Sequence, residues 1–311
     1  MIPPSISVVI PTYNCAHLLP NAIRSAYAQT IAPAEVIVVD DGCTDNTAEV
    51  IEVLAKELPD TFVFIRKPNG GEASARNRGV GAATGEFVAF LDQDDVWLPE
   101  KFERQLPLFD DPSEPALTFT AYTRISGTDR APVRVEGWQP TPEHALRRLM
   151  EGCCVTPSTV MVRRDALTAV GPFDESLWLG NDWEMWLRLA AAGHRFAYLS
   201  EPMTDYLWHA GNMSRDQRKI ADAALTIFPR LFASGVLPPE VQRLERACLA
   251  RWNLNQACYA LAAGQRNEGR RSLLQAVRWH PASVRGGWLL LGLKSLLPER
   301  RPAPLQDVRG R

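Results

Sequence analysis

Three carboxylates within four residues, Asp92, Asp94 and Asp95, follow directly on an apolar run from Phe87 to Leu91. Held that close they repel one another, and the repulsion asks for a cation. Hard oxygen donors of this kind suit magnesium or manganese, with phosphate oxygens of a second molecule completing the shell. Three other apolar runs end in a similar way. The first leads into Pro11, Thr12, Tyr13 and Asn14, the second into Asp40, Asp41 and Gly42, and the third into Asn69, Gly70 and Gly71. Any one of these is ordinary loop punctuation, since Asp, Asn and Gly favour turns. Four such loops on a single edge are harder to read that way.

The elements between them predict that single edge. Apolar runs at 5–10, 35–39, 62–65 and 87–91 alternate with amphipathic stretches at 18–29, 46–58 and 72–83. This alternation predicts βα units and a parallel sheet with helices on both faces. Ligands of such a sheet bind beyond the carboxyl ends of the strands, which is where all four loops fall. Past Leu91 the pattern predicts a helix at 100–109, a strand at 117–122, a Pro-rich connection through 142, and strands at 159–162 and 195–199. Between the last two strands a helix is expected over 182–192, with Trp183, Trp186, Leu187 and Ala190 spaced for one buried face. From Arg218 the pattern is helical only, at 218–233, 240–263, 267–279 and 284–297. The TrpHisPro at 279–281 is faintly like a tetratricopeptide pair, a weak signal from a single repeat.

Composition sets the outer limits. With 311 residues, 46% of them apolar, and 34 basic residues against 36 acidic ones, the chain is neither disordered, nor collagen-like, nor a polycation built to coat nucleic acid. The near-neutral total conceals a split. Residues 1–214 hold 17 basic and 29 acidic side chains, residues 215–311 hold 17 and 7, so the two parts stand near −12 and +10. The division predicts two domains, 1–214 and 215–311. The basic helices of the second are either a solvated Arg-rich surface or a contact for an acidic partner or anionic lipid headgroups. Six cysteines lack metal-site spacing and read as core and loop residues. No basic stretch followed by a long apolar one opens the chain, so a cytoplasmic location is expected. The run at 286–297 is too short to span a bilayer.

Taken in order, ValValIleProThrTyrAsn at 8–14, ValValAspAspGlyCysThrAsp at 38–45, AsnGlyGlyGluAlaSerAlaArgAsnArgGly at 69–79 and PheLeuAspGlnAspAsp at 90–95 resemble glycosyltransferase family 2. That family comprises inverting transferases of the GT-A fold, and the resemblance covers roughly 5–214. It implies a Rossmann-like, mostly parallel sheet flanked by helices, here followed by an all-helical extension. It also implies that Pro11, Thr12 and Tyr13 cradle a nucleotide, that Asp41 accepts a hydrogen bond from the base, and that Arg76 lies near base and diphosphate. Asp92 and Asp94 match the DxD motif, with Asp94 on a divalent metal, Mn2+ or Mg2+, and Asp92 on ribose or metal. Asp182 matches the catalytic base, although Asn181 stands where the family usually has Glu, and Cys43 where Ser is commoner. Tyr206 to Ser214 resemble the closing segment over the diphosphate, with His209 a candidate for phosphate or metal.

Each of these residues also has a structural reading. Tyr13 could pack its loop, Arg76 could lie on a helix surface, Asp182 could be a helix N-cap, and His209 could be a satisfied structural imidazole. Trp178, Trp183 and Trp208 offer candidate stacking faces for a sugar acceptor. What the resemblance implies is transfer of a sugar from a nucleotide diphosphate donor, a UDP-sugar first, to a glycan or lipid-linked hydroxyl, with no nucleic acid involved. The alternatives are a silent sugar-nucleotide binder or scaffold, and a nucleotidyltransferase. The latter should carry a Gly- and Arg-rich loop after the first strand, where ProThrTyrAsn stands instead.

Overall fold

The computed structural model describes residues 4–283. The helix expected over 284–297 lies outside them. The chain divides into two compact units, one running to Asp216 and including Arg230–Arg243, the other formed by Gln217–Pro229 and the chain from Leu244.

The first unit holds β1 (Ile6–Thr12), α1 (Leu19–Tyr27), β2 (Glu35–Asp40), α2 (Thr47–Ala55), β3 (Phe62–Arg66), α3 (Glu72–Ala82) and β4 (Phe87–Phe90). There follow β5 (Val96–Trp97), α4 (Lys101–Gln105), β6 (Leu117–Ser126), β7 (Asp129–Val133), α5 (Pro142–Glu151), β8 (Val160–Arg163), α6 (Arg164–Val170), α7 (Asn181–Ala191) and β9 (Phe196–Leu207). The strands form one sheet in the order β3-β2-β1-β4-β8-β6-β9-β5, with β7 paired to β6. The four strands β3, β2, β1 and β4 are parallel. Beyond β4 the sheet is mixed, because β8 runs antiparallel to both β4 and β6, while β6 and β9 run parallel.

Burial explains the parallel half. Every residue of β1 and β4 is buried, as expected of strands covered on both faces. On one face Val8, Ile10, Val36, Val38, Phe87 and Ala89 join Leu19, Ile23 and Phe102 in a single core. On the other lies α3, whose buried residues are mostly small: Ala73, Ala75 and Gly79 beside Arg76. A Cβ at Gly79 would collide with the Val9 side chain, so glycine is what lets α3 lie close against β1 and β2. That closeness carries Arg76 to the carboxyl edge of the sheet.

Several elements differ from the sequence expectation for local reasons. β1 continues through Pro11 to Thr12 because its ladder with β4 ends at Val9↔Phe90, leaving Pro11 and Thr12 paired only to Val39 and Asp40 of β2. The helix α5 was hidden in the Pro-rich stretch. Pro142 is its first residue and the Thr141 side chain accepts from the His144 amide, an N-terminal cap rather than a loop. The strand expected over 117–122 is β6, and it runs on to Ser126 to form a hairpin with β7 whose polar, partly exposed residues carry no apolar alternation. The helix expected over 240–263 is two helices, α9 (Pro239–Gln242) and α10 (Glu245–Ala262).

In the second unit α10 packs along α11 (Arg266–Trp279), with Leu254, Leu273 and Ala276 in a small core. Helix α8 (Gln217–Ala233) contributes its first part, where Arg218 pairs with Glu268 at 2.8 Å. Among the described residues no helix is long and apolar enough to cross a membrane.

Candidate active site

The four loops do converge on the carboxyl edge of β1, β2, β3 and β4, and hydrogen bonds lock them together. Thr12 Oγ1 and the Tyr13 amide both donate to Gln93 Oε1, at 2.7 and 2.8 Å, so the residue between Asp92 and Asp94 ties the acidic loop to the end of β1. Pro11 and Thr12 are buried, whereas the Tyr13 ring is 46% exposed. Asn14, with a positive φ of 49°, accepts from the Thr44 amide and so joins the first loop to the second.

Asp41 is buried and accepts three hydrogen bonds: from Lys67 Nζ at 2.5 Å, from the Gly70 amide at 3.0 Å and from the Gly71 amide at 2.8 Å. A carboxylate has about four lone-pair directions, so one is left over. Gly71 adopts φ 86°, a conformation that favours glycine, and this turn both aims the two amides at Asp41 and starts α3. Lys67 and Gln93 carried no motif signal, since a lysine after a strand and the variable position of DxD are unremarkable in sequence.

Arg76 does not lie on a helix surface. It is 1% exposed, and its guanidinium is wrapped in protein groups: Nη1 donates to Asn181 Oδ1 at 2.8 Å, and Nη2 to Glu72 Oε1 at 2.7 Å and Asp92 Oδ1 at 2.9 Å. Burial opposes its charge, but Glu72, Asp92 and Asp182 outweigh that and hold it above the ordinary arginine value. Asp92 shows the other side of the balance. Burial, with Glu72 and Asp94 adding to it, pushes its carboxyl up to about 7 against the pull of Arg76.

The third carboxylate of the run serves the fold. Asp95 is buried and its Oδ1 accepts from the Leu207 amide at 3.1 Å, fastening the end of β9 to the acidic loop. Burial together with Asp92 and Asp94 raises it well above the usual carboxylate range. Asp94 meets His209, with Nε2 and Oδ2 2.8 Å apart. The Gly211 amide donates to His209 Nδ1 at 3.1 Å, so that nitrogen is the acceptor and Nε2 of the neutral ring carries the proton it gives to Asp94. Among the described residues no three His, Cys, Asp or Glu side chains come together as a metal cage. Asp92 and Asp94 are hard oxygen donors of the type that suits Mn2+ or Mg2+.

Helix α7 begins beside this cluster. Its cap is Gly180 in the left-handed conformation, with Asn181 and Asp182 as the first helical residues, so Asp182 is not the N-cap. The Asp182 carboxyl is half-buried. Burial raises it; Arg76 and the amides of the first turn lower it, and Glu72 raises it further, leaving it above the ordinary aspartate value. Trp183 and Trp186 are buried and donate to the Leu149 and Val155 carbonyls, which makes them core rather than stacking faces. Trp208 is flanked by Arg124 and Arg215. Trp178 is 75% exposed.

A mixed sheet whose parallel half ends in an acidic loop, with a second carboxylate presented by a later helix, defines the GT-A class of fold. Solved structures with this fold include a TarS fragment from S. aureus in complex with UDP-GlcNAc, at a TM-score of 0.67 and 21% identity over 90% of this chain and 82% of that one. They also include the mannosyltransferase PcManGT from Pyrobaculum calidifontis in complex with GDP-Man and Mn2+, at 0.63 and 19% over 94% and 78%. The Glycosyl transferase family 2 model matches residues 7–171, and the chain belongs to that family. An uncharacterised glycosyltransferase of Nostoc is 38% identical over 56% of this chain and 55% of its own length. The teichuronic acid biosynthesis glycosyltransferase TuaG of Bacillus subtilis, itself described as putative, is 29% identical over 70% and 84%. A chondroitin synthase of Pasteurella multocida is 31% identical over 68% and 21%. The chain spans little more than half the length of the first relatives it matches.

Proposed function

We propose that this chain is an inverting glycosyltransferase moving a hexose from a UDP-sugar to a hydroxyl of a glycan or lipid-linked acceptor in the synthesis of polysaccharide or cell-surface glycan. One observation carries the reading: Arg76 binds both Asp92 and Asn181, so the carboxylates that would face a diphosphate lie beside the turn that presents Asp182. The nucleotide sugars held by the TarS fragment and PcManGT support the donor class, and the polysaccharide products named for TuaG and the chondroitin synthase support the acceptor class.

In this reading Tyr13 offers its exposed ring to the base, and the spare lone pair of Asp41 accepts a base N–H. Pro11 and Thr12 shape the cradle, Arg76 steadies Asp92, and Asp92 faces ribose or metal. Asp94 would hold Mn2+ or Mg2+, with His209 orienting it. When bound, the cation supplies positive charge against the departing diphosphate, so no protein acid is needed there. Asp182 takes the proton of the acceptor hydroxyl as its oxygen bonds to the anomeric carbon. The bond from that carbon to the diphosphate breaks on the opposite face, and the configuration inverts without a covalent intermediate. Two carboxylates of a glycosidase are thereby replaced by one and a cation.

Calorimetric titration with UDP, in manganese and then in chelator, tests the donor half. Manganese-dependent binding that disappears in Asp94→Ala is the expected outcome. Silence with UDP, TDP and GDP alike would favour the scaffold reading.

The basic helices after residue 215 are proposed to touch an anionic membrane. Leu274 and Val277 are exposed one turn apart on α11, in a segment that also carries Arg270, Arg271 and Arg278. The full chain is expected to float with phosphatidylglycerol vesicles and not with phosphatidylcholine alone. Removal of 284–311 measures the share of the C-terminal segment, which lies outside the described residues.

A further inference from the structure

A guanidinium is among the least readily buried side chains, and Arg76 is buried almost completely at a junction of three elements. Its partners come from its own helix (Glu72), from the loop after β4 (Asp92) and from the first turn of α7 (Asn181), the last 105 positions away. The Phe173 ring, 5.9 Å from the guanidinium carbon, covers it. A single side chain thus joins the acidic loop to the base-bearing turn. The partner on α7 is neutral. Asn181 satisfies one N–H of the guanidinium through its carbonyl oxygen but adds no negative charge to a group already bonded to the Glu72 and Asp92 carboxylates and acted on by Asp182.

We propose that Arg76 is a positioning residue for transfer rather than a donor ligand, holding the acidic loop and the Asp182 turn in register, with Asn181 as the neutral acceptor that anchors the α7 turn to the guanidinium without adding charge beside Asp182. This rests on Asp182 being the base. Two consequences follow for the Asp182 carboxyl, which faces Arg76 and Glu72 of α3 and Cys153 of the segment before β8. Loss of the Arg76–Asn181 bond lets the turn move, and misplacement of a catalytic group by about 1 Å costs on the order of 100-fold in rate. A carboxylate at 181 keeps the bond but sets a like charge beside the base, which disfavours its ionised form.

The test uses the full chain with UDP-GlcNAc and, in parallel, GDP-mannose, each with manganese, following release of the nucleoside diphosphate against pH. Nucleotide affinity is measured by titration and folding by thermal unfolding. Arg76→Lys and Asn181→Leu are expected to lower kcat by about 10- to 100-fold, with nucleotide affinity unchanged in Asn181→Leu and reduced in Arg76→Lys far less than turnover. Asn181→Asp is expected to recover most of the kcat that Asn181→Leu loses, with the acidic limb of the kcat profile displaced to higher pH. If Arg76→Lys weakens nucleotide binding as much as it lowers turnover, Arg76 is a donor ligand and the proposal falls. It falls equally if Asn181→Leu turns over like the parent. Asp182→Asn separates the two readings: full activity in that variant sinks the base assignment, whereas inactivity there with unaltered Arg76 and Asn181 variants sinks only the present proposal.

Discussion

Asp182→Asn is expected to lose turnover by about 10² to 10⁴-fold while binding nucleotide like the parent. The substitution is nearly isosteric and leaves the first turn of α7 in place, since the cap is Gly180 and the asparagine oxygen can accept from the first-turn amides as the carboxylate does. Its amide has no proton affinity to offer an acceptor hydroxyl. The Asp41 and Asp94 side chains belong to other loops, so donor affinity should hold. Steady-state release of nucleoside diphosphate, paired with calorimetry, reads both quantities. Equal loss of binding and turnover would mean that Asp182 touches the donor. Burial raises the Asp182 carboxyl, so the parent kcat should fall as pH drops through a value above the ordinary aspartate range.

Lys101→Met is expected to stabilise the protein, most at and below neutral pH. Lys101 is fully buried; its ammonium donates to Gln105 Oε1 at 2.7 Å and lies 4.6 Å from the Trp97 ring centre, and burial pushes it down to about 7. The unfolded chain keeps this lysine charged up to about 10.4. Below pH 7 both states are charged and the full burial cost is present. Between pH 7 and about 10.4 the folded form is neutral while the unfolded form still holds its proton, so stability rises with pH across that window. The swing in the parent is on the order of 4 kcal/mol, and the gain in the methionine variant below pH 7 is smaller than this by about 1–3 kcal/mol because Gln105 Oε1 loses its donor. Burial also raises Cys15, Cys43 and Cys248, whose unfolded thiols ionise first and lower stability as pH climbs. The comparison of parent and variant by urea unfolding between pH 7 and 8.5 cancels that background. A gap that does not narrow with rising pH would show that the lysine stays charged in the fold.

The parallel half was legible because its strands are apolar almost throughout, and β1 to β4 fall within one or two residues of expectation. The acidic loop was legible for the same reason, as charge set directly against a buried strand. What lay hidden obeys other rules. Whether Arg76 is exposed cannot be read from helical periodicity, because the buried face of α3 is made of alanine and glycine rather than large apolar residues. The contacts of Asp95 with the Leu207 amide and of His209 with Asp94 could not be foreseen either, since each joins residues more than 100 positions apart. Gln93 had no signal at all, since its work is to accept two hydrogen bonds from a strand 80 positions earlier.

The separations across the site also order its assembly during synthesis. Arg76 reaches Asp92 across 16 residues and Asn181 across 105, while Asp95 reaches Leu207 across 112 and Asp94 reaches His209 across 115. A chain emerging from the ribosome in order therefore has the loops after β1 to β4 and all three clustered aspartates early, with a guanidinium whose last partner is still unmade. The Asp182 turn and the histidine arrive only with the final strands of the sheet. Contacts of such span close slowly and leave charged groups waiting in a half-built core. An interrupted chain would then hold the loops proposed to grip a donor without the group proposed to use it.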